Sequence, residues 1–69
     1  MHLYLCTRIG SVGWDETRAA IVAADSEEQA EEIFRKLQMP QKAEVSISNI
    51  GQAKRSMEEG VVLEDFKAG

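Results

Sequence analysis

Residues 2–8, HLYLCTR, alternate Leu3 and Leu5 against His2, Tyr4 and Cys6, the period-two pattern of a strand with one purely aliphatic side. IGSVG follows, and its two glycines supply the backbone freedom that a hairpin connection needs. TRAAIVAA resumes with β-branched Thr17, Ile21 and Val22 and stops at Asp25, which predicts a second strand antiparallel to the first. In DSEEQAEEIFRKLQ the period changes. Ala30, Ile33, Phe34 and Leu37 stand at i, i+3, i+4 and i+7, one stripe of a helix. Ser26 is the expected N-cap, Gln29 completes a capping box, and Glu27 and Glu28 oppose the helix dipole. Pro40 disfavours helical geometry at Met39, so the helix is expected to end near Gln38. Beyond it, KAEVSISNI alternates Ala43, Val45 and Ile47 against Glu44, Ser46 and Ser48, a third, half-buried strand. GQAKRSMEEG reads as a loop with room for one helical turn, and Val61, Val62, Leu63 and Phe66 mark a short fourth strand.

The expected fold is therefore α+β, in the order β-β-α-β-β: a four-stranded antiparallel sheet of spatial order 2-1-3-4 with one helix on one face. This order leaves no crossed connections. Tyr4, Cys6, Ala20, Val22 and Phe66 are expected on the other face, as a solvated surface or an interface.

With 69 residues and 7.7 kDa, the chain has room for a single domain, 1–69, with a small core. Self-association, most simply as a homodimer, is expected to cover Val62 and Phe66, which one helix cannot reach. Cys6 is the lone cysteine, which rules out an internal disulfide and suits a reduced, cytoplasmic setting. Together with His2 it makes no zinc-binding pattern. The N-terminus lacks the features of a signal peptide, and no run approaches the ~20 apolar residues of a membrane span. A net charge of −4, from 12 acids and 8 bases, disfavours nucleic acid as a partner.

No positioned nucleophile and base, no phosphate-binding glycine loop and no cofactor motif is present, so the expectation is a non-catalytic protein without cofactor or metal. Cys6 reads as a small buried hydrophobe rather than a nucleophile. Trp14 is the sharper feature. Its neighbours Gly13, Asp15 and Glu16 mark a turn, where a tryptophan either folds back over the sheet edge or serves as a binding hot spot. Arg8 and Arg18 flank that turn and suit an anionic ligand or an acidic partner surface. Glu27, Glu28, Glu31 and Glu32 form an acidic helix surface, either solvated with i,i+4 pairs to Arg35 and Lys36 or a mimic of phosphates.

LYLCTRIGSVGWDE, AAIVAADSEEQAEEI and the terminal GVVLEDFKAG resemble a group of small uncharacterised proteins encoded in phage and prophage genomes. These share a Leu-Tyr-Leu strand ending in Thr-Arg, a Val-Gly-aromatic-Asp-Glu turn, and a Val-Val-Leu strand with Phe and a final Ala-Gly. Trp14 stands where tyrosine is expected, and Glu64, Asp65 and Lys67 replace smaller or neutral residues. The resemblance implies a phage accessory protein that binds and modulates or inhibits a host protein, such as a CRISPR-like defence component. Two other readings stay open: an oligomer that sequesters a nucleotide-like signal through Arg8, Arg18 and Trp14, and a structural or assembly factor.

Overall fold

In a computed structural model the chain is described for residues 1–10, 12–54 and 57–67, the last two by backbone alone. The elements are β1 (His2–Arg8), β2 (Glu16–Ala24), α1 (Glu27–Arg35), β3 (Val45–Gln52) and β4 (Gly60–Lys67). All four strands join one antiparallel sheet, in the expected α+β class.

The strand order is β3-β1-β2-β4 rather than 2-1-3-4. β1 lies between β2 and β3 as expected, but β4 pairs with β2, setting Leu63 against Ile21 and Val61 against Val22. Residues 53–59 carry the chain from β3 across the end of the two central strands to reach that edge. The span is about 14 Å for three strand spacings, within reach of seven extended residues. The crossing is fastened at both sides: Ala53 donates its N–H to the Met1 carbonyl at 3.1 Å, and Gln29 donates its side-chain N–H to Glu59 at 2.7 Å. With β4 on β2, the apolar side chains of both strands stay together, Ile21 opposite Leu63 and Val22 opposite Val61.

The helix also lies on the face opposite to the expected one. Tyr4, Cys6, Ala20, Val22 and Ala24 are buried with Ala30 and Phe34 in one cluster, flanked by Ile33, Leu37, Met39, Val45 and Ile47. The cross-strand pairs Tyr4 with Val22 and Cys6 with Ala20 form its floor. Small side chains at Cys6, Ala20 and Ala24 leave depth for the Phe34 ring, whereas leucines at those positions would hold the helix off the sheet. Thus Tyr4, Cys6, Ala20 and Val22 are core. Phe66 keeps its place in β4 opposite Thr17, and its side chain lies outside the described residues.

The helix begins where its signals stand. Ser26 is extended and its hydroxyl accepts the Gln29 N–H at 3.1 Å. The Gln29 carboxamide reaches one residue further back than a capping box requires and accepts the Asp25 N–H at 2.7 Å. Regular helix stops at Arg35, three residues before the expected end. There the Arg35 guanidinium pairs with Glu31 at 2.8 Å and donates to the carbonyls of Gln41 and Ala43 at 3.1 and 3.0 Å. One side chain thereby satisfies two loop carbonyls and turns the chain towards β3.

Candidate functional site

Of the residues singled out from sequence, those of the β1–β2 turn are held in a small polar network. Glu16 accepts from the Arg8 guanidinium at 3.1 Å and from the Gly13 N–H at 3.0 Å. A side chain at Gly13 would meet the Glu16 carboxylate at 3.0 Å, so the glycine is needed for that close approach. Asp15 adopts a left-handed φ of 60°, which a short polar residue tolerates. The Arg8 side chain is only 6% exposed, and its charge serves the turn rather than an external anion.

Trp14 projects from this frame with 68% of its surface exposed. It is outside the core cluster. Arg18, at a β-bulge in β2, makes a bidentate pair with Asp65 of β4 at 3.1 and 3.2 Å. The structure therefore brings Arg8, Trp14, Asp15 and Glu16 together at the hairpin tip and sets Arg18 apart, on β2, paired with Asp65 of β4. The acidic residues Glu27, Glu28, Glu31 and Glu32 lie on the helix, on the far side of the sheet from its uncovered face. They border a shallow cleft with Arg35, in which Glu31 is engaged by the same arginine.

Cys6 is fully buried, and its thiol donates weakly to the Tyr4 carbonyl at 3.9 Å. Burial, reinforced by the nearby negative charge of Glu31, pushes its pKa up to about 11. The thiolate, which nucleophilic chemistry requires, is therefore scarce at neutral pH. Among the described residues no three His, Cys, Asp or Glu side chains gather in a way that could hold a metal ion. No helix among them is long and apolar enough to cross a membrane.

One surface was not anticipated from the sequence. On the face away from α1, Leu5, Ile21 and Leu63 fall in one cross-strand row, continued by Ser48 of β3. Leu5 is 38% and Leu63 62% exposed. Beside this row, Ala19 lies between Thr7 and Asp65, and its short side chain leaves a depression of about 340 Å³ lined by Leu5, Ala19, Ala20, Ile21, Leu63, Glu64 and Asp65. The charged groups at its border are satisfied internally: Asp65 by Arg18, and Glu64 by the hydroxyl of buried Thr17 at 2.5 Å. Among the described residues, what remains is an apolar hollow whose bordering charges are paired. The alternation of Leu3 and Leu5 was a signal for this surface, but only the side taken by the helix shows which face stays uncovered. Comparison of the chain with protein-family models, with curated proteins and with solved structures found no match.

Proposed function

We propose that the protein acts by binding rather than by catalysis, as a small phage accessory protein that docks on another protein through the uncovered side of its sheet and the Trp14 tip. The observation that carries this reading is the row Leu5–Ile21–Leu63, with Leu5 and Leu63 exposed and Ile21 half-buried between them, on a sheet whose helix covers the opposite face. Contiguous exposed apolar surface on a small domain marks an interaction site. An exposed tryptophan such as Trp14 is a usual anchor of such interfaces. The proposed setting is the bacterial cytoplasm, and the proposed target a host protein, with a defence component as the case suggested by the resemblance.

The arrangement supports a protein partner over a nucleotide-like ligand, because Arg8 is spent on Glu16 and Arg18 on Asp65. Immobilised wild-type protein should retain a host protein that folded Trp14→Ala and Leu63→Glu variants retain at least tenfold less well. Linear and cyclic nucleotides should leave the melting temperature unchanged. A nucleotide that raises it by mass action, with the rise lost in Arg18→Ala, would move the function to signal sequestration.

A further inference from the structure

We infer that the open edge of β3, over residues 45–49, takes up an extended segment of a partner protein in which basic and apolar residues alternate, added to the sheet as a further strand. This edge is distinct from the apolar row and the Trp14 tip proposed above, and it is tested independently of them. Its main-chain groups, its lack of protection and the charge beside it converge on this occupant.

Glu44 accepts the Ile9 N–H at 2.9 Å, so in the antiparallel register of β1 with β3 the bonded pairs are Ile9 with Glu44, Thr7 with Ser46 and Leu5 with Ser48. The alternate residues Val45, Ile47 and Asn49 turn their N–H and C=O groups the other way, to the side where no further strand stands among the described residues. Main-chain groups arrayed like this are a template for an incoming strand.

Proteins usually guard such an edge with charge, proline or irregular pairing. β4, at the opposite edge, is guarded: its register with β2 shifts twice, and the longest regular run left is Leu63, Glu64 and Asp65, two of them acids. β3 carries neither charge nor proline in VSISNIGQ, and its pairing with β1 is regular from Val45 to Asn49 before the shift ahead of Gly51. That run has room for about five residues of incoming chain.

The side chains of the occupant follow from what lies on either face. Residues opposite Val45, Ile47 and Asn49 fall on the helix face, and the flank of α1 on that side is acidic. Arg35 donates to the carbonyl of Ala43, just before β3 begins, and pairs with Glu31 on the same flank. Gln29, about 200° round the helix from Glu31, reaches instead to Glu59 at the start of β4. Glu27 stands one turn before Glu31, Glu28 is beside it, and Glu44 is exposed at the entrance to β3. Arg35 neutralises Glu31, whereas no ion pair among the described residues engages Glu27, Glu28 or Glu44. Lysine or arginine at these positions lays its stem along half-buried Val45 and Ile47 and carries its charged head to those carboxylates. Residues opposite Ser46 and Ser48 fall on the uncovered face, where apolar side chains extend the row of Leu5, Ile21 and Leu63 past Ser48.

The probe is a capped pentapeptide, Lys-Val-Lys-Val-Lys. Followed by NMR on the isotope-labelled protein, it should slow amide exchange at Val45, Ile47 and Asn49 at least tenfold. In the docked register the main-chain N–H groups of the lysines face β3 and those of the valines face away. N-methylation of the lysine main chain should therefore weaken binding at least tenfold, while N-methylation of the valines leaves it within about twofold. Glu-Val-Glu-Val-Glu should bind at least tenfold more weakly, and the Glu27→Gln, Glu28→Gln protein at least threefold more weakly, with circular dichroism confirming its fold. Equal binding of the two methylated peptides overturns the inference, as does protection of β4 amides in place of β3, or no protection at millimolar peptide. Loss of peptide binding in a folded Leu63→Glu variant would seat the peptide on the uncovered face and overturn it as well. Host capture lost in Trp14→Ala reports on the other surface, whichever way the peptide result falls.

Discussion

Phe34 and Cys6 show how much rests on single buried side chains in so small a core. Phe34 is fully buried, and Phe34→Ala should cost about 3–5 kcal/mol. That is comparable to the whole stability of a domain this size, so urea titration at 25 °C should find the variant largely unfolded without denaturant. Cys6 adds a dependence on pH whose sign follows from its environment. The folded thiol titrates near 11 against about 9.0 when unfolded. The protonated thiol's contribution to stability is therefore complete below pH 9 and lost as pH rises towards 11. Urea midpoints should fall across that window, and Cys6→Ala should remove this component of the slope. A slope identical in the variant would assign the whole effect to other groups. At pH 7.5 the native thiol should resist iodoacetamide and react only at the rate of unfolding.

The cohesion of α1 with the strands depends on side chains at its two ends. At the start, Ser26→Ala removes the acceptor for the Gln29 N–H and should cost about 1 kcal/mol. Gln29→Ala reaches further, since that carboxamide joins Asp25 to Glu59 and so couples the helix to the β3–β4 crossing. At the end, Arg35 joins Glu31 to two loop carbonyls. Arg35→Lys should not substitute for it, because an ammonium lacks the planar fork that serves the carboxylate and both carbonyls together. The expected loss for either Arg35→Ala or Arg35→Lys is about 1–2 kcal/mol in thermal or urea unfolding. Amide exchange at Gln41 to Glu44 should quicken in both; protection kept in Arg35→Lys would show that charge alone holds the turn.

At the scale of the whole molecule, the decisive feature is which strand receives β4. A paired Ile21→Cys and Leu63→Cys variant on a Cys6→Ala background tests it. Directly opposed antiparallel residues lie about 4.5–5.5 Å apart, within the range a disulfide bridges, so oxidation should close the bond readily. In the order 2-1-3-4 the same two positions would be separated by two intervening strands, and no bond would form within one chain. Much of the fold was legible from local pattern. The five elements, the pairing of β1 with both β2 and β3, and Ser26 as cap follow from the period of apolar residues, turn chemistry and neighbours a few positions apart. The hairpin tip was legible too, since Gly13, Asp15 and Glu16 announce a turn and Trp14 breaks the strand pattern. Three features were not: the partner of β4, the face taken by the helix, and the depression at Ala19. Each depends on side chains far apart in the chain. Period two places Leu5 and Cys6 on opposite faces without saying which one a helix covers, and that is decided by whether Phe34 finds depth between Cys6, Ala20 and Ala24. Once the helix has taken that face, the row Leu5–Ile21–Leu63 is left uncovered, and the surface proposed for binding is a consequence of packing that no local segment encodes.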